Sequence, residues 1–457
     1  MKATLKALSR EANVLSLAGN IAVSFFGFVG FALLARQFPM EEFGEWVLYI
    51  SSAAFVDMFR FGIVTTAVIR YLSGADAEDR PRFIGSFIFM VFLATAGISA
   101  IIWFCHFTFP GPIRQAGYEL FFTWYPFIAF VSIPMNTALV IMQADLRFDR
   151  ILMINGLYSA AFFGFILAGF FFFKMTLVEI IWGQFFIYSV LSLLCMALGW
   201  AGTRHLFRAS RRTNRVLFDF GKYTTLTLIG TNLLRSADAL IISLSPMGTT
   251  AVALYSIPMK ITELQQIPLR SFAATAFPKM SKASIQGRLS DVKATFYTYS
   301  GAMTYLFAFI SLLIFVFADF LVLVLGGAQY LGTDPVTGAN TALIVRIFSI
   351  YGLLLPFERM TGIGLDSVNR PDLNFRKVLF MVIANVAGDL IAVFLFKSLA
   401  AVAVGSVIFT LFGVWLGYYF LDRELGIERR KVFSSGLNFY KLAYCKVRNL
   451  ARQYQHS

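Results

Sequence analysis

The sequence predicts an all-α polytopic membrane protein, with about twelve transmembrane helices in two six-helix lobes and both termini on the cytoplasmic side. Three observations predict it. Of the 457 residues, 58% are hydrophobic and only 14% charged, and a soluble fold of this length cannot keep such a surface wetted. The apolar residues gather in runs long enough to cross a hydrocarbon core, which takes roughly 20 residues each. The cations gather on alternate segments between those runs, the asymmetry of a positive-inside topology.

The apolar runs fall near 13–35, 44–72, 83–108, 118–143, 151–173 and 177–200, then near 220–244, 251–277, 295–325, 341–365, 375–397 and 400–420. Met1–Arg10 is a short basic start, but the run that follows is long and leads directly into further spans, so it reads as a retained first helix and not a cleaved signal. With the N-terminus cytoplasmic, 28 Lys and Arg fall on cytoplasmic segments and four on the opposite side, Arg36, Arg114, Lys174 and Lys397. Miscounting one span would scramble that split. The net charge of +14 is therefore topological, which removes the argument for nucleic acid as a partner and leaves membrane lipids as the expected one. Cys105, Cys195 and Cys445 have no zinc-like spacing, and only three histidines are present, so no metal site and no resident cofactor is expected.

The basic stretch Thr203–Arg215 divides the chain. It sets the expected organisation: an N-lobe over 1–203, a cytoplasmic linker over 204–218, a C-lobe over 219–422 and a tail over 423–457. The halves share a weak repeat. Residues 139–152 and 364–379 each end one span on a polar turn with Arg and Phe and open the next; six spans per half would relate the copies by an axis along the membrane normal. In the tail, Phe433, Leu437, Tyr440, Tyr444, Val447 and Ala451 recur at steps of three and four, the pattern of a basic amphipathic helix lying on the cytoplasmic leaflet.

Charges inside the spans carry the functional information, because an ionised group at mid-bilayer costs at least ~2.5–3.5 kcal/mol. The set is Asp57, Arg60, Arg235, Asp238, Lys260, Glu263, Arg270, Asp319, Arg346, Glu358, Arg359 and Asp389. So many charges cannot all face lipid; they must face a wet cavity, the headgroup zone or one another. Asp57 and Arg60 share one helix face, as do Arg235 and Asp238. Lys260, Glu263 and Arg270 fall within about 80° of one another on a helix. The same spacings also suit salt bridges that only hold helices together. Asp319 and Arg346 lie toward the ends of their spans, where a gate and simple snorkelling are both open. Asp389 stands alone, as a proton- or Na⁺-coupling carboxylate would, or as a polar contact between helices. Pro126, Pro134, Pro258, Pro268 and Pro356 lie within spans, and each is expected to bend its helix.

Several stretches resemble the polysaccharide and lipid-linked oligosaccharide flippases of the multidrug, oligosaccharidyl-lipid and polysaccharide exporter superfamily. They are residues 43–46, 55–63 through 70–73, the turn at 143–148, residues 230–238, 253–260 and 277–281. The resemblance covers roughly residues 10–420 and rests on order and spacing. It implies two six-helix lobes in a V around a central cavity, alternating access and no enzymatic activity. The implied substrate is an undecaprenyl-pyrophosphate-linked oligosaccharide or polysaccharide repeat unit, as in O-antigen or exopolysaccharide export across a bacterial inner membrane. On that resemblance Arg60, Arg235, Lys260, Arg270 and Arg359 are the cavity cations expected to meet the pyrophosphate, arginine binding phosphate through two hydrogen bonds and lysine as a point charge. Asp57, Asp238, Glu263, Asp389, Asp319 and Arg346 are the expected coupling or gating groups, with H⁺ or Na⁺ as the coupling ion. Partners would be a polysaccharide polymerase and glycosyltransferases. Two other readings stay open: a cation-coupled multidrug exporter, and a non-transporting scaffold of a polysaccharide synthesis complex.

Overall fold

The structure is a computed structural model that describes residues 12–73, 76, 78–145, 147–172, 175–219, 237–335 and 337–455. Among these residues the named elements are helical, apart from an isolated bridge between Thr333 and Asn340. The chain forms two compact units, Met1–Leu244 with Gly248–Ala253, and Ser245–Met247 with Leu254–Ser457. The sequence places a boundary in the linker over 204–218; residues 237–244 nonetheless belong with the first unit.

In the first unit, α1 (Ala12–Gln37), α2 (Met40–Ser73) and α3 (Arg80–Thr108) are followed by the short α4 (Pro110–Gln115). Then come α5 (Glu119–Val131), α6 (Ile133–Ala144), α7 (Phe148–Phe172) and α8 (Leu177–Ala197). Helices α5 and α6 are together long and apolar enough for one span and are bent by 52° at the break between them. The break falls at Ser132, with Pro134 in the first turn of α6, where a ring without an N–H costs least; the bend expected around Pro134 is there. One core joins Val64, Val68 and Leu72 of α2 to Phe87 and Val91 of α3 and Ile133 and Ile141 of α6. A second joins Met135 and Met142 of α6 to Ile154 of α7 and Leu191 of α8.

In the second unit, α9 (Gly248–Ile285) begins in the first unit's last segment. It leads to α10 (Leu289–Val316), α11 (Ala318–Gly326), α12 (Thr341–Ser367), α13 (Pro371–Leu390), α14 (Leu399–Leu425) and α15 (Arg429–Gln455). The run expected over 295–325 is thus two helices, parted at Phe317. A single core unites Met280 of α9, Phe296 and Phe307 of α10, Met360 of α12, Leu421 of α14 and Val432 of α15.

Among the described residues seven helices, α3, α7, α8, α10, α12, α13 and α14, are long and apolar enough to cross a bilayer, and the bent pair α5–α6 passes the same test taken together. Their outer surfaces expose Phe104, Phe107, Phe172, Phe186, Phe309 and Leu395, which suits lipid and not water. The protein is a multi-pass membrane protein. Helices α2 and α9 lie where spans are expected but fall outside that apolar set; they carry Asp57 and Arg60, and Lys260, Glu263 and Arg270. Most of the run at 220–244 lies outside the described residues.

The tail differs from expectation in two ways. Residues 423–425 finish α14, and α15 docks on α10 by an edge rotated from the predicted stripe. Val432 is buried, and a Cβ built on Gly301 would sit 2.1 Å from its carbonyl oxygen. Tyr440 donates to the carbonyl of Ala302 at 2.8 Å, and the Glu428 N–H donates to Tyr297 at 2.9 Å. Phe433 and Leu437 of the predicted stripe stay exposed. The side chains of Tyr444, Val447 and Ala451 lie outside the described ones. At the start of α15, Lys431 donates to Glu428 at 2.6 Å, which holds the ammonium above its ordinary pKa.

Candidate functional site

The first unit holds its charge on α2. Asp57 and Arg60, one turn apart, form an ion pair in which the guanidinium side chain is 1% exposed and the carboxylate 43%. Arg60 spends its donors inside the protein: Nε on the Thr95 hydroxyl of α3 at 3.0 Å, Nη1 on Asp57, Nη2 on the Ala129 carbonyl of α5. Its guanidinium carbon stands 4.9 Å from the centre of the Phe61 ring, within cation–π range. Tyr125 of α5 donates to the same Asp57 oxygen at 2.7 Å. A charge this deep needs a partner and satisfied hydrogen bonds, and both are supplied. Arg60 therefore ties three helices and presents no face to a ligand; Asp57 keeps the open face.

Next to Asp57 in sequence, Ser52, Phe55 and Val56 line a cavity of about 400 Å³ with Tyr118, Phe121 and Phe122 of the α4–α5 region and Leu240 and Leu244. Tyr118 and Ser243 share a 2.6 Å hydrogen bond in the same unit. Deeper in it, Tyr49 donates to Gln184 at 3.1 Å, and Gln184 to Tyr158 at 3.2 Å. Arg235 lies outside the described residues. Asp238 is buried.

The second unit distributes its charges differently. On α9, Lys260 donates to Glu263 at 2.8 Å, and Arg270 is exposed with Gln266 at 3.4 Å. α9 runs unbroken through Pro258 and Pro268. Arg346 and Asp319 pair at 2.5 Å, both partly exposed. Arg359 is exposed. Asp389 is fully buried, accepts from Asn385 at 3.0 Å and is followed within two residues by a π-turn at Ile391–Leu395, a distortion that often accompanies functional positions.

One pair was missed. Lys377, one of the 28 cations that the sequence reading places on cytoplasmic segments and span ends, is 1% exposed and bonds Glu358 of α12 through the carboxylate at 2.8 Å and the backbone carbonyl at 3.1 Å. Its stem runs through a slot: a Cβ on Gly362 would lie 3.3 Å from Nζ, and one on Gly417 3.3 Å from Cδ. Alongside, Asn374 donates to Asp366 at 2.9 Å. No spacing rule announces a partner nineteen residues away on another helix. The polar start of α13, Pro371–Lys377, carries two cations and one acid and reads as a solvated turn.

The sequence profile of the family described as polysaccharide biosynthesis protein matches residues 11–284. The chain belongs to that family. The matched region carries Asp57, Arg60, Lys260, Glu263 and Arg270 and stops short of Lys377 and Asp389. No curated protein matches the chain by sequence. Among solved structures, it is similar to a multidrug resistance MATE family transporter of the MOP superfamily in an inward-facing conformation, with TM-score 0.73 and 14% identity over 88% of this chain and 94% of that one. It is also similar to the lipid II flippase MurJ in an inward closed conformation, with TM-score 0.69 and 11% identity over 94% and 92%. A third is a MOP superfamily transporter from Pyrococcus furiosus, with TM-score 0.60 and 14% identity over 92% and 96%. This polysaccharide biosynthesis family member thus has the fold of MOP superfamily transporters.

Proposed function

We propose that this protein is a flippase, and not an enzyme, that carries an undecaprenyl-pyrophosphate-linked oligosaccharide or repeat unit across a bacterial inner membrane by alternating access of two six-helix lobes. The family membership and the likeness to a lipid II flippase support the class. The observation that carries the substrate is the exposed guanidinium of Arg270 on α9, one face along from Lys260. A cation in a membrane helix is costly unless water or an anion surrounds it, and a pyrophosphate supplies the anion. In this reading Arg270, Arg235 and Arg359 meet the phosphates. Arg60 positions Asp57, and Asp57 and Asp389 carry the coupling H⁺ or Na⁺. A polymerase and glycosyltransferases would hand on and supply the glycan.

The test is flipping of a fluorescent polyprenyl-pyrophosphate glycan in proteoliposomes. Arg270→Ala is expected to lower the rate at least tenfold with the protein still folded, one charge-assisted bond being worth ~1.5–3 kcal/mol. Wild-type flipping by Arg270→Ala and Arg359→Ala together would remove the phosphate role. The half-open carboxylate of Asp57 also suits a cation-coupled exporter of cationic drugs; ethidium efflux that survives loss of glycan flipping would favour that reading.

A further inference from the structure

The basic segment after α8 is not a slack connection. Residues Thr203–Arg208 form a 3₁₀ turn and residues 211–219 a helix. Ser210 starts that helix, accepting the Thr213 N–H at 3.1 Å, and its own N–H reaches Ser86 of α3 at 3.3 Å. The turn lies hard against α3: a Cβ on Gly85 would fall 2.2 Å from the His205 carbonyl oxygen. Leu206 and the fully buried Leu217 join the core of α2, α3 and α6 at the two ends of the segment. A seat this firm fixes what points away. Phe207 is 95% exposed. Arg204, a turn before it and so on the same face of a 3₁₀ helix, is exposed, as are Arg208, Arg211 and Arg212. Among the described residues none of these four arginines has an acidic partner, and the segment 203–215 holds five arginines, no lysine and no acid.

We infer that this segment is a docking surface for the headgroups of anionic phospholipids, with Phe207 inserted below them and the arginines on their phosphates. Its position requires contact with the bilayer surface: it follows the last turn of one span, α8, and packs on the first two turns of another, α3. A large ring held in water by a rigid turn is unfavourable, and the same ring in the interfacial layer is not. Guanidinium groups match phosphate oxygens in pairs, and each near an anionic surface is worth roughly a factor of five in affinity. The inference rests on the multi-pass fold alone and stands or falls apart from the flippase reading.

The experiment uses the full chain in nanodiscs, with Cys105, Cys195 and Cys445 replaced and an environment-sensitive fluorophore on Phe207→Cys. With phosphatidylglycerol present, the emission is expected to shift to the blue and to be quenched by lipids brominated near the headgroup, more strongly than in phosphatidylcholine alone. In native mass spectrometry the wild-type protein is expected to retain phosphatidylglycerol over phosphatidylcholine. The fourfold variant of Arg204, Arg208, Arg211 and Arg212 to Gln should lose that preference at least fivefold. Gly85→Ala, which leaves every charge in place, should move the probe's emission because the seat no longer fits. A probe equally wet in both lipids, or one shielded only when soluble protein is added, overturns the inference. So does lipid retention that the fourfold variant does not change.

Discussion

Asp57–Arg60 in the first unit and Glu358–Lys377 in the second solve one problem by different means. In each, the cation is 1% exposed and the carboxylate keeps a partly open face, 43% for Asp57 and 22% for Glu358. Arg60 meets its acid within one turn of α2 and spends its spare donors on two neighbouring helices. Lys377 has no local acid in reach; it crosses from α13 to α12 and lies in a slot lined by Gly362 and Gly417. A five-donor fork can tie three helices from a local pair. A single ammonium needs a shaped channel, and small residues supply it. In both pairs the cation is buried and the carboxylate is the member that keeps a face toward solvent.

The largest effect should come from Arg60→Ala. Removing the cation of a buried pair costs about 3–5 kcal/mol, and the lost side chain adds a cavity. Thermal unfolding in detergent should shift down strongly, and Arg60→Met, which refills the volume, should recover part of the loss. If Arg60→Ala keeps wild-type stability and loses only transport, Arg60 is a ligand-binding cation and the comparison fails at its first member. Lys377→Met should cost less, about 1–3 kcal/mol, because the ammonium bonds Glu358 alone and the Met side chain refills most of its slot, whereas Arg60 joins three helices. Adding Glu358→Gln should restore part of that, with a coupling of about 0.5–3 kcal/mol in a double-mutant cycle. Zero coupling would mean that the pair is incidental. Next comes Gly417→Ala. Its Cβ would lie 2.3 Å from Thr361 Oγ1 and close on the Lys377 stem, an overpacking of about 1–3 kcal/mol. Gly405→Ala on the same helix meets nothing within 4 Å and should be neutral or slightly stabilising. Equal stabilities for the two alanines would show that the slot has no shape to protect.

What the sequence made legible follows from range. Asp57–Arg60 and Lys260–Glu263 are ion pairs three residues apart, and helical periodicity alone brings them together. The bend at Pro134 follows from a missing N–H. The Lys377–Glu358 pair was missed because it depends on how α13 lies on α12, which no local pattern encodes. The turn before Lys377 is polar for the same reason that a solvated turn is. The edge by which α15 docks was misread by about one residue because Gly436, with no apolar side chain, makes the closest approach to Gly301. Hydrophobic periodicity counts side chains and is blind to a contact made by backbone.

The repeat between residues 139–152 and 364–379 offers the finest comparison. Both turns close the same way. The Arg147 N–H reaches the Met142 carbonyl and the Arg370 N–H the Leu365 carbonyl, each five residues back and each at 2.9 Å. Each arginine then grips the aspartate two residues on, Arg147 with Asp149 at 2.9 Å and Arg370 with Asp372 at 3.2 Å. The tie to a neighbouring helix is reversed in sign. Arg80 of α3 reaches Asp145 of the first turn, whereas Arg370 of the second reaches Glu424 of α14. Arg147→Ala should therefore leave the unfolding temperature unchanged, since it breaks only an exposed local pair. Arg370→Ala should lower it by a small amount that disappears at high salt, because it also releases α14. Arg80→Ala, not Arg147→Ala, is the first-unit substitution expected to match it. If Arg147→Ala and Arg370→Ala instead behave alike, the local grip is what the repeat preserves, and the tie between helices is a by-product of packing.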